Sequence, residues 1–288
     1  MNRVAAVKHT FEVAPDDSGL RLDQVIPKHV PGLSRRKTRA VIDLGGVFVD
    51  RARVKVAGRP VKAGQKIEVN VGGAVARSEP PLKPRIVYTD DAIIVVDKPA
   101  GLVTAPTPEA SRGDLLDQLT KHYREVYLVH RIDLPTSGLL VFARTREANK
   151  KLGDAFKLHD VDREYRAVAV GEVATQTIDR PIDRKRAVTH VTQLEALPGA
   201  TFIGCRLETG RTHQIRIHLA GLGHPLAGDR THGGETERAF RPRPPRLVLH
   251  AAVLGFTHPT TGERVRWEAP LPSDLATWLD ALRATRAP

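Results

Sequence analysis

Short apolar runs, separated by polar and turn-forming residues, recur along the chain, and most of them are too short to be helices. Runs of this kind, rich in Val, Ile, Leu and Phe, are typical of β-strands. The predicted strands are Val47–Val49, Val54–Val56, Lys66–Val69, Ala92–Val96, Val126–Val129, Leu139–Ala143, Tyr165–Val170 and Phe202–Leu207. Strands therefore dominate the pattern.

Apolar residues at helical spacing occur in fewer places. One predicted helix spans Thr145 to Lys157, with its apolar residues on one face. Another spans Thr212 to Ala220 and is stopped near Gly221 and Gly223. Because helices and strands do not alternate regularly, this part of the chain favours a mixed α+β domain with a largely antiparallel sheet over a doubly wound fold.

The first quarter of the chain has its own helical signals. Ser34 is a good N-cap for a helix that a glycine pair can end, and a shorter helix is expected around Leu22 to Ile26. Arg35, Arg36 and Arg39 lie mostly on the solvated side of the capped helix. Two short helices, a few strands and a basic helix face predict a small α/β RNA-binding module.

A linker is predicted between the two parts. Residues Gly72 to Pro84 hold two glycines and three prolines without apolar periodicity. We therefore expect a first domain at residues 1–76, a linker at 77–84 and a second domain at 85–288.

Charge points to a polyanionic partner. The chain has 45 Lys or Arg against 33 Asp or Glu, a net charge of +12. Residues 1–76 hold 14 of these cations against 7 carboxylates, so more than half of the excess lies in the first domain. The alternative explanation is a GC-rich genome that favours arginine, with solvated charges spread over the surface, and composition alone does not decide between the two explanations.

Several classes of protein are disfavoured. No apolar run approaches the roughly 20 residues that cross a bilayer, and the first residues lack the apolar centre of a secretory signal. The single cysteine, Cys205, cannot form an internal disulfide, so we expect a cytoplasmic protein with Cys205 in its core. The sequence lacks a Walker-type phosphate loop, HExxH and CxxC, so we expect no nucleotide cofactor and no metal.

One segment, YLVHRIDLPTSGLLVFART, places a carboxylate in a polar loop between two apolar strands. A loop held in this way is a rigid place for an acid, and Asp133 is therefore the candidate. The alternative is that Asp133 caps a turn and Arg131 is a surface charge. Three further segments, DKPAGLVTAP, VDREYRAVAVG and LETGRTHQIRIHLAGLGHPLAGD, also set polar groups among apolar runs, which favours one assembled cleft.

These segments occur in the order found in the RluA family of pseudouridine synthases, which the chain resembles over roughly residues 85 to 275. Residues 1–76, through LSRRKTRAVIDLGGVFVD and VKAGQKIEV, resemble the small RNA-binding fold of ribosomal protein S-four. The resemblance implies a pseudouridine synthase fold, a catalytic Asp133, and a Tyr165 that lies against the target base. It also implies an arginine paired with Asp133, which we place at Arg216, with Arg211 as the alternative.

The resemblance also implies contacts with structured RNA, for which ribosomal RNA is favoured over transfer RNA, and we expect a monomer. Arg131 would fill the space left by the flipped nucleotide. RNA contacts are also expected for His130 and Arg211, and for Arg35, Arg36 and Arg39 of the first domain. The chain departs from the family pattern at Arg163, where a lysine is common, and at His232, where a tyrosine is usual.

Such a reaction moves the glycosidic bond of uridine from a ring nitrogen to a ring carbon. Asp133 could attack covalently or stabilise positive character on the sugar, and the sequence leaves both open. Two other functions remain as alternatives. One is a non-catalytic RNA-binding or ribosome-assembly factor that keeps the fold, and the other is a glycosylase, which would release free uracil.

Overall fold

The computed structural model describes residues 7–43, 45–54, 56–71, 83–105, 114–234 and 240–285, which form two compact units. The first unit consists of residues 7–71 and the second of residues 83–285. Most of the predicted linker, residues 77–82, lies outside the described residues. Each unit has a β-sheet and buried hydrophobic clusters of its own.

The first unit contains a four-stranded antiparallel sheet. Its strands, in the order β1-β4-β2-β3, are β1 (Val7–Glu12), β2 (Val47–Val49), β3 (Ala52–Val54) and β4 (Lys66–Val71). Two helices, α1 (Leu22–His29) and α2 (Arg35–Asp43), connect β1 to β2. These helices contribute Leu22, Ile26 and Ile42, which are fully buried in one hydrophobic cluster with the valines of the sheet. Both helices predicted in this part of the chain are confirmed.

The connection between β2 and β3 corrects one strand prediction. Asp50 and Arg51 have φ angles of 50° and 66°, so the chain reverses within two residues. The Asp50 carboxylate accepts hydrogen bonds from the Lys66 amide and the Gln65 side chain, each at 2.9 Å, which holds this uncommon conformation. The strand predicted at 54–56 therefore lies two residues earlier, and Lys55 is outside the described residues.

The second unit is organised around a ten-stranded sheet. Its strands are β5 (Arg85–Thr89), β6 (Ile93–Lys98), β7 (Tyr127–Leu128), β8 (Ser137–Ala143), β9 (Val161–Val170), β10 (Gln176–Asp179), β11 (Val188–Leu197), β12 (Ala200–Leu207), β13 (Leu249–Thr257) and β14 (Arg264–Glu268). The main order is β10-β11-β12-β9-β13-β8-β6-β5, with β14 beside β13 and β7 beside β8. The β8–β13 pair is parallel and the other described pairs are antiparallel. The predicted α+β class with a largely antiparallel sheet is confirmed.

Four helices flank this sheet in the chain: α3 (Leu115–Thr120), α4 (Arg146–Lys157), α5 (Gln214–Gly221) and α6 (Ser273–Ala284). Thr145 caps α4 by accepting a hydrogen bond from the Ala148 amide at 3.1 Å. Helix α5 begins two residues later than predicted, because His213 has a φ of 57° and cannot continue a right-handed helix. Among the described helices, none combines the length and apolarity required to span a bilayer.

The centre of the sheet fixes the positions of the polar residues. All seven residues of β8 are buried, and burial alternates along the first part of β9. Because side chains alternate across a strand, Arg163 and Tyr165 lie on one face of β9, two positions apart. Tyr165 pairs in register with Cys205 of β12 on one side and Ala251 of β13 on the other.

Candidate active site

A cavity of about 620 Å³ lies where polar segments from distant parts of the second unit meet. Its wall includes the loop at 129–136, the end of α4, strand β9 and residues 210–216. The sequence candidates of this unit that line it are His130, Arg131, Asp133, Tyr165, Arg211 and Arg216. Three of the four segments that were expected to form one cleft therefore line this cavity, whereas the described residues of DKPAGLVTAP lie outside its wall.

The loop that carries Asp133 is held by the segment DKPAGLVT. The Thr104 hydroxyl donates to the Ile132 carbonyl at 3.1 Å, and the Gly101 amide donates to the Leu134 carbonyl at 2.8 Å. Within the loop, the Thr136 amide donates to the Asp133 carbonyl at 3.1 Å. These bonds fix the backbone on both sides of Asp133, so the position of the carboxylate depends on a segment some thirty residues earlier.

Lys98 is the centre of this support and is fully buried. Its ammonium group donates to the carbonyls of Leu102 at 2.8 Å, Pro99 at 3.1 Å and Leu134 at 3.4 Å. Burial, with a contribution from the nearby charge of Arg246, lowers the pKa of Lys98 to about 7, and the charge of Asp133 partly opposes this shift. The three carbonyl oxygens match the three donors of a charged lysine.

Asp133 forms an ion pair with Arg216, with 3.3 Å between Oδ2 and Nη1. The same guanidinium donates from Nε to Asp229 Oδ2 at 2.8 Å and from Nη2 to Asp229 Oδ1 at 2.7 Å. Arg216 is 3% exposed, the Asp229 side chain is fully buried, and the Asp133 side chain is 18% exposed. Asp229 therefore holds Arg216 in a bidentate pair and directs its remaining nitrogen at the carboxylate that faces the cavity.

The electrostatics of this triad follow from burial and pairing. Burial raises the pKa of Asp229, but the hydrogen bonds from Arg216 and from the amides of His232 and Thr231 outweigh it, so the pKa lies below its usual range. Burial lowers the pKa of Arg216, and the two aspartates more than compensate, so this pKa is raised. Arg216 and Asp229 therefore form a charged pair at neutral pH in a mostly dry part of the site.

Arg211, the alternative partner for Asp133, has a different position. Its Nε donates to the Arg186 carbonyl at 2.9 Å, and the residue is only partly buried. It lines the cavity without contacting the aspartate. Of the two arginines, Arg216 therefore makes the pair.

Two histidines extend the polar wall beside Asp133. His213 Nδ1 lies 2.9 Å from His232 Nε2, and His213 Nε2 lies 3.9 Å from Asp133 Oδ1. Burial lowers the pKa of His213, an effect that the charge of Asp133 partly opposes. Within the described part of the chain, no three His, Cys, Asp or Glu side chains are grouped as metal ligands would be.

Tyr165 presents a buried aromatic ring to the cavity, with 9% of its surface exposed. Burial raises the pKa of its phenol, which therefore stays protonated at neutral pH. A ring on a central strand has little freedom to move, so it offers a fixed surface against which a flat base can lie.

His130 and Arg131 differ in their surroundings although they are adjacent. Arg131 is exposed at the cavity. His130 is half-buried, stacks on Phe156 with 4.4 Å between ring centroids, and accepts a hydrogen bond from the Val141 amide at 3.2 Å. Burial lowers the pKa of His130 to about 3, so this ring is neutral and braces the wall.

The candidate arginines of the first unit gather around a buried acid. Asp23 has no exposed side-chain surface and pairs with Arg39 at 2.5 Å, Arg21 at 3.2 Å and Arg35 at 3.4 Å. Arg35 and Arg39 are therefore less fully solvated than predicted, because both pair with Asp23. The Arg35 side chain is 42% exposed and that of Arg39 is 29% exposed. The side chain of Arg36 lies outside the described residues.

Sequence reasoning missed Asp229, His213 and Lys98 as parts of the site. The signal for Asp229 was weak, because a separation of 13 residues from Arg216 does not by itself indicate contact. Lys98 and His213 belong to the polar segments already identified, but the partners that place them there are backbone carbonyls and a second histidine.

The chain is similar to known proteins over most of its length. Residues 92–221 match the family model described as RNA pseudouridylate synthase. The ribosomal large subunit pseudouridine synthase D of Haemophilus influenzae is 37% identical, with 95% of this chain and 94% of the relative covered. The protein of the same name from Nitrosomonas europaea is also 37% identical, with 96% and 89% covered.

Two human structures have a similar fold. RNA pseudouridylate synthase domain containing 1 aligns with a TM-score of 0.54 and 26% identity, over 74% of this chain and 99% of that one. RNA pseudouridylate synthase domain containing 4 aligns with a TM-score of 0.57 over 71% and 95% of the two chains, and at 23% identity it supports the fold alone.

Proposed function

The chain belongs to the RNA pseudouridylate synthase family, and from this premise we propose that the uridines it isomerises to pseudouridine lie in RNA of the large ribosomal subunit. The relatives from Haemophilus influenzae and Nitrosomonas europaea carry that substrate in their names and align over nearly the whole chain. The net charge of +12 supports a polyanionic substrate of this size.

The observation that carries the site assignment is the Asp133–Arg216–Asp229 triad in the cavity wall. The reaction breaks the bond between C1′ of the ribose and N1 of uracil, turns the base, and joins C1′ to C5, from which a proton leaves. We assign the carboxylate that faces C1′ to Asp133, since the other acid of the triad, Asp229, is fully buried behind Arg216. Covalent attack on C1′ and stabilisation of a cationic sugar both require this one ionised group.

Arg216 supports this role by neutralising the carboxylate without blocking it. A buried charge that lacks a partner costs several kcal/mol, and a guanidinium at 3.3 Å offsets that cost. Because Asp229 occupies the other nitrogens of Arg216, a single nitrogen contacts Asp133. One carboxylate oxygen therefore stays available to the substrate.

Tyr165 and Arg131 complete the proposed site. The buried ring of Tyr165 would lie against the uracil, and its protonated phenol is a group that can exchange a proton near C5. Exposed Arg131 would occupy the space left in the RNA stack, since a planar guanidinium stacks well on bases. Flipping the base costs a few kcal/mol, which phosphate contacts offset.

We further propose that residues 1–76 form an S-four-like RNA-binding domain joined by a linker at 77–84 to the catalytic domain at 85–288. The arginines around Asp23 support this, because a shared buried acid holds their guanidinium groups in place. A preorganised cluster loses less side-chain entropy when it binds phosphates.

Asp133→Ala tests the site. RNA tritiated at C5 of uridine releases its label to water during isomerisation, and we expect the wild type to release it and the alanine variant to release none. RNA affinity should be unchanged or slightly higher, because a negative charge is removed. Asp97→Ala is the matched control, since Asp97 pairs with Arg85 outside the cavity wall and its loss should leave turnover nearly normal.

The outcomes separate the site from the substrate. Label release by Asp133→Ala at a rate comparable to wild type would refute the assignment of the carboxylate. Release from bulk transfer RNA but not from large-subunit RNA would refute the proposed substrate. Free uracil in the supernatant would instead indicate a glycosylase.

A further inference from the structure

Arg163 is a buried cation in the cavity wall that the proposed chemistry does not use. It lies on β9, two residues before Tyr165 and on the same face of the strand, and it is 8% exposed. Burial lowers the pKa of its guanidinium, which nevertheless remains charged at neutral pH. Across the described ranges, no carboxylate lies within ion-pair distance of it, in contrast to Arg216.

The protein satisfies this guanidinium only in part. Nη2 donates to the Glu208 carbonyl at 2.9 Å and, at the 3.5 Å limit, to that of Leu207. Nε is covered by protein and has no acceptor, and no described residue accepts a bond from Nη1. An unmade hydrogen bond of a buried group costs about 1–3 kcal/mol, and more when the group is charged. Because Nε is covered by protein, Nη1 is the unpaired donor that another molecule can reach.

The neighbours of Arg163 hold the guanidinium in place and leave Nη1 uncovered. Its central carbon lies 5.5 Å from the centre of the Phe156 ring, and Phe156 is itself stacked on His130. At Gly210, which also lines the cavity, a Cβ would stand 2.7 Å from Nη1. Any larger residue there would therefore cover this nitrogen. The wall is shaped so that a rigid donor stays uncovered.

A second orphaned atom lies in the same wall. The Thr136 hydroxyl is buried, three residues after Asp133, and has no hydrogen-bond partner. Buried polar groups in native proteins are nearly always paired, so two exceptions in this wall show that its polar groups are not arranged for packing alone.

We propose that Arg163 is a substrate-binding residue whose Nη1 donates to an acceptor oxygen of the flipped uridine nucleotide, either a uracil carbonyl or a phosphate oxygen. This rests on the proposed function, because it requires a nucleotide to enter the cavity beside Asp133 and Tyr165. A base that offers an amino group at the same place, as cytosine does, would leave the donor unpaired, so a contact with the base would add specificity for uracil.

A purely structural role is the competing explanation. In that case Arg163 would only hold the carbonyls of Leu207 and Glu208, and with them the turn that leads to Arg211. Substitution would then reduce turnover by the same factor for every RNA. A contact with the substrate instead predicts a loss that depends on the atom offered by the substrate.

The test is a double-mutant cycle between protein and RNA with the full-length chain. Arg163→Met is compared with wild type on a synthetic RNA that carries a uridine modified by the wild type, under single-turnover conditions. One modified RNA has a neutral methylphosphonate on the 5′ side of the target, and two others carry 2-thiouridine or 4-thiouridine as the target. We expect a loss of about 10- to 100-fold on unmodified RNA, as for a hydrogen bond to a charged group.

The substrate atom that Nη1 contacts is identified by the RNA on which the ratio of wild-type to variant rate falls towards one. Shrinkage on either thiouridine assigns Nη1 to the corresponding uracil carbonyl, and shrinkage on the methylphosphonate assigns it to the phosphate. An equal loss on all four RNAs overturns the proposal and leaves Arg163 as a structural clamp. A wild type that releases no tritium from any RNA would contradict the proposed function itself.

Two further variants protect the test against misfolding. Gly210→Ala keeps the Arg163 side chain but would put a Cβ 2.7 Å from Nη1, closer than a van der Waals contact, so the guanidinium must shift from its position at the cavity. The variant should therefore show the same RNA-dependent loss as Arg163→Met, and thermal unfolding checks that it is folded. Arg166→Met is the matched control, because Arg166 lies on the opposite face of β9 and outside the cavity wall. Unchanged kinetics in Gly210→Ala would also overturn the assignment.

Discussion

Replacing Arg216 by methionine separates the structural from the catalytic consequences of the triad. Methionine fills the space of the aliphatic part of the arginine side chain but leaves Asp133 and Asp229 without their shared cation. Asp133 can still be reached from the cavity. Asp229 has no exposed side-chain surface, so its carboxylate stays buried with only the amides of Thr231 at 3.0 Å and His232 at 3.1 Å.

The expected loss of stability follows from that burial. Removing one partner of a buried ion pair costs about 3–5 kcal/mol, and the two remaining amide donors place Arg216→Met near the lower end. A loss of about 3 kcal/mol is a large part of the 5–15 kcal/mol typical of a folded domain. Turnover should fall by roughly 10²–10³, as when a preorganised charge is removed from an active site. Arg216→Lys should recover part of it, since lysine keeps the charge without the planar fork.

The sign of the pH dependence gives an independent check. In the wild type the pKa of Asp229 lies below its usual range, so its contribution to stability is present above about pH 4, the unfolded pKa, and is lost as the pH falls through the folded value. In Arg216→Met, burial without the cation raises the folded pKa above the unfolded one. The folded variant then binds more protons, so the deficit relative to wild type should be largest near pH 7.5 and smaller at pH 5.

Urea unfolding at these two pH values measures the deficit, and tritium release measures turnover. Arg211→Met is the control, because Arg211 is only partly buried and contacts a backbone carbonyl, so its loss should change stability by less than about 1 kcal/mol. Arg216→Met/Asp229→Asn removes both buried charges and should regain stability but not activity. Near-normal turnover in Arg216→Met, or a deficit that grows in acid, would refute the reasoning.

Two further predictions concern the frame around the site and the first domain. Gly138→Ala should destabilise the protein by about 2–4 kcal/mol in urea unfolding, because Gly138 has a φ of 118° and a Cβ would stand within 2.6 Å of the Ala251 amide nitrogen. The control is Gly153→Ala in α4, where a Cβ has free space, so this variant should be neutral or stabilising. Removing residues 1–76 should weaken binding to large-subunit RNA and flatten its salt dependence by about 0.7–0.9 in slope per lost phosphate contact, with circular dichroism still showing a folded catalytic domain; an unchanged slope would contradict the role of that domain.

The sequence pattern predicted those helices and strands that are determined by residues close together in the chain. Helix α4 follows from a Thr145 cap and one apolar face, and β8 from an unbroken apolar run. Two of the strands that escaped prediction have weaker patterns. Strand β11 has polar residues among its apolar ones and is not buried in its second half, and β14 alternates charged with apolar residues, so neighbouring strands rather than propensity define them.

The sequence motifs predicted which kinds of residue form the site, but not which residues contact each other. HRIDLPTSG indicates an acid in a polar loop, yet the bonds from Thr104 and Gly101 that hold the loop depend on how β6 and β8 pair. His130 illustrates the opposite case, because a histidine beside Arg131 suggests an RNA contact. In the structure its ring accepts a hydrogen bond from the Val141 amide and stacks on Phe156, contacts that the sequence does not indicate.

The choice between Arg211 and Arg216 shows why spacing alone could not settle the pairing. The Gln214 side chain accepts hydrogen bonds from the Thr209 hydroxyl at 2.8 Å and the Arg211 amide at 3.0 Å, and its own amide nitrogen donates to the Val188 carbonyl at 2.9 Å. These bonds close a tight turn before α5. The turn keeps Arg211 outside the helix and directs it to a backbone carbonyl.

The left-handed residue at the end of that turn sets the rotation of α5. His213 has a φ of 57°, so the helix starts at Gln214 and presents Arg216 towards Asp133 and Asp229. A helix that began at Thr212, as the apolar pattern predicts, would be continuous through 213 and would not contain this turn. A buried glutamine and one left-handed histidine therefore determine which arginine lies within 3.3 Å of Asp133.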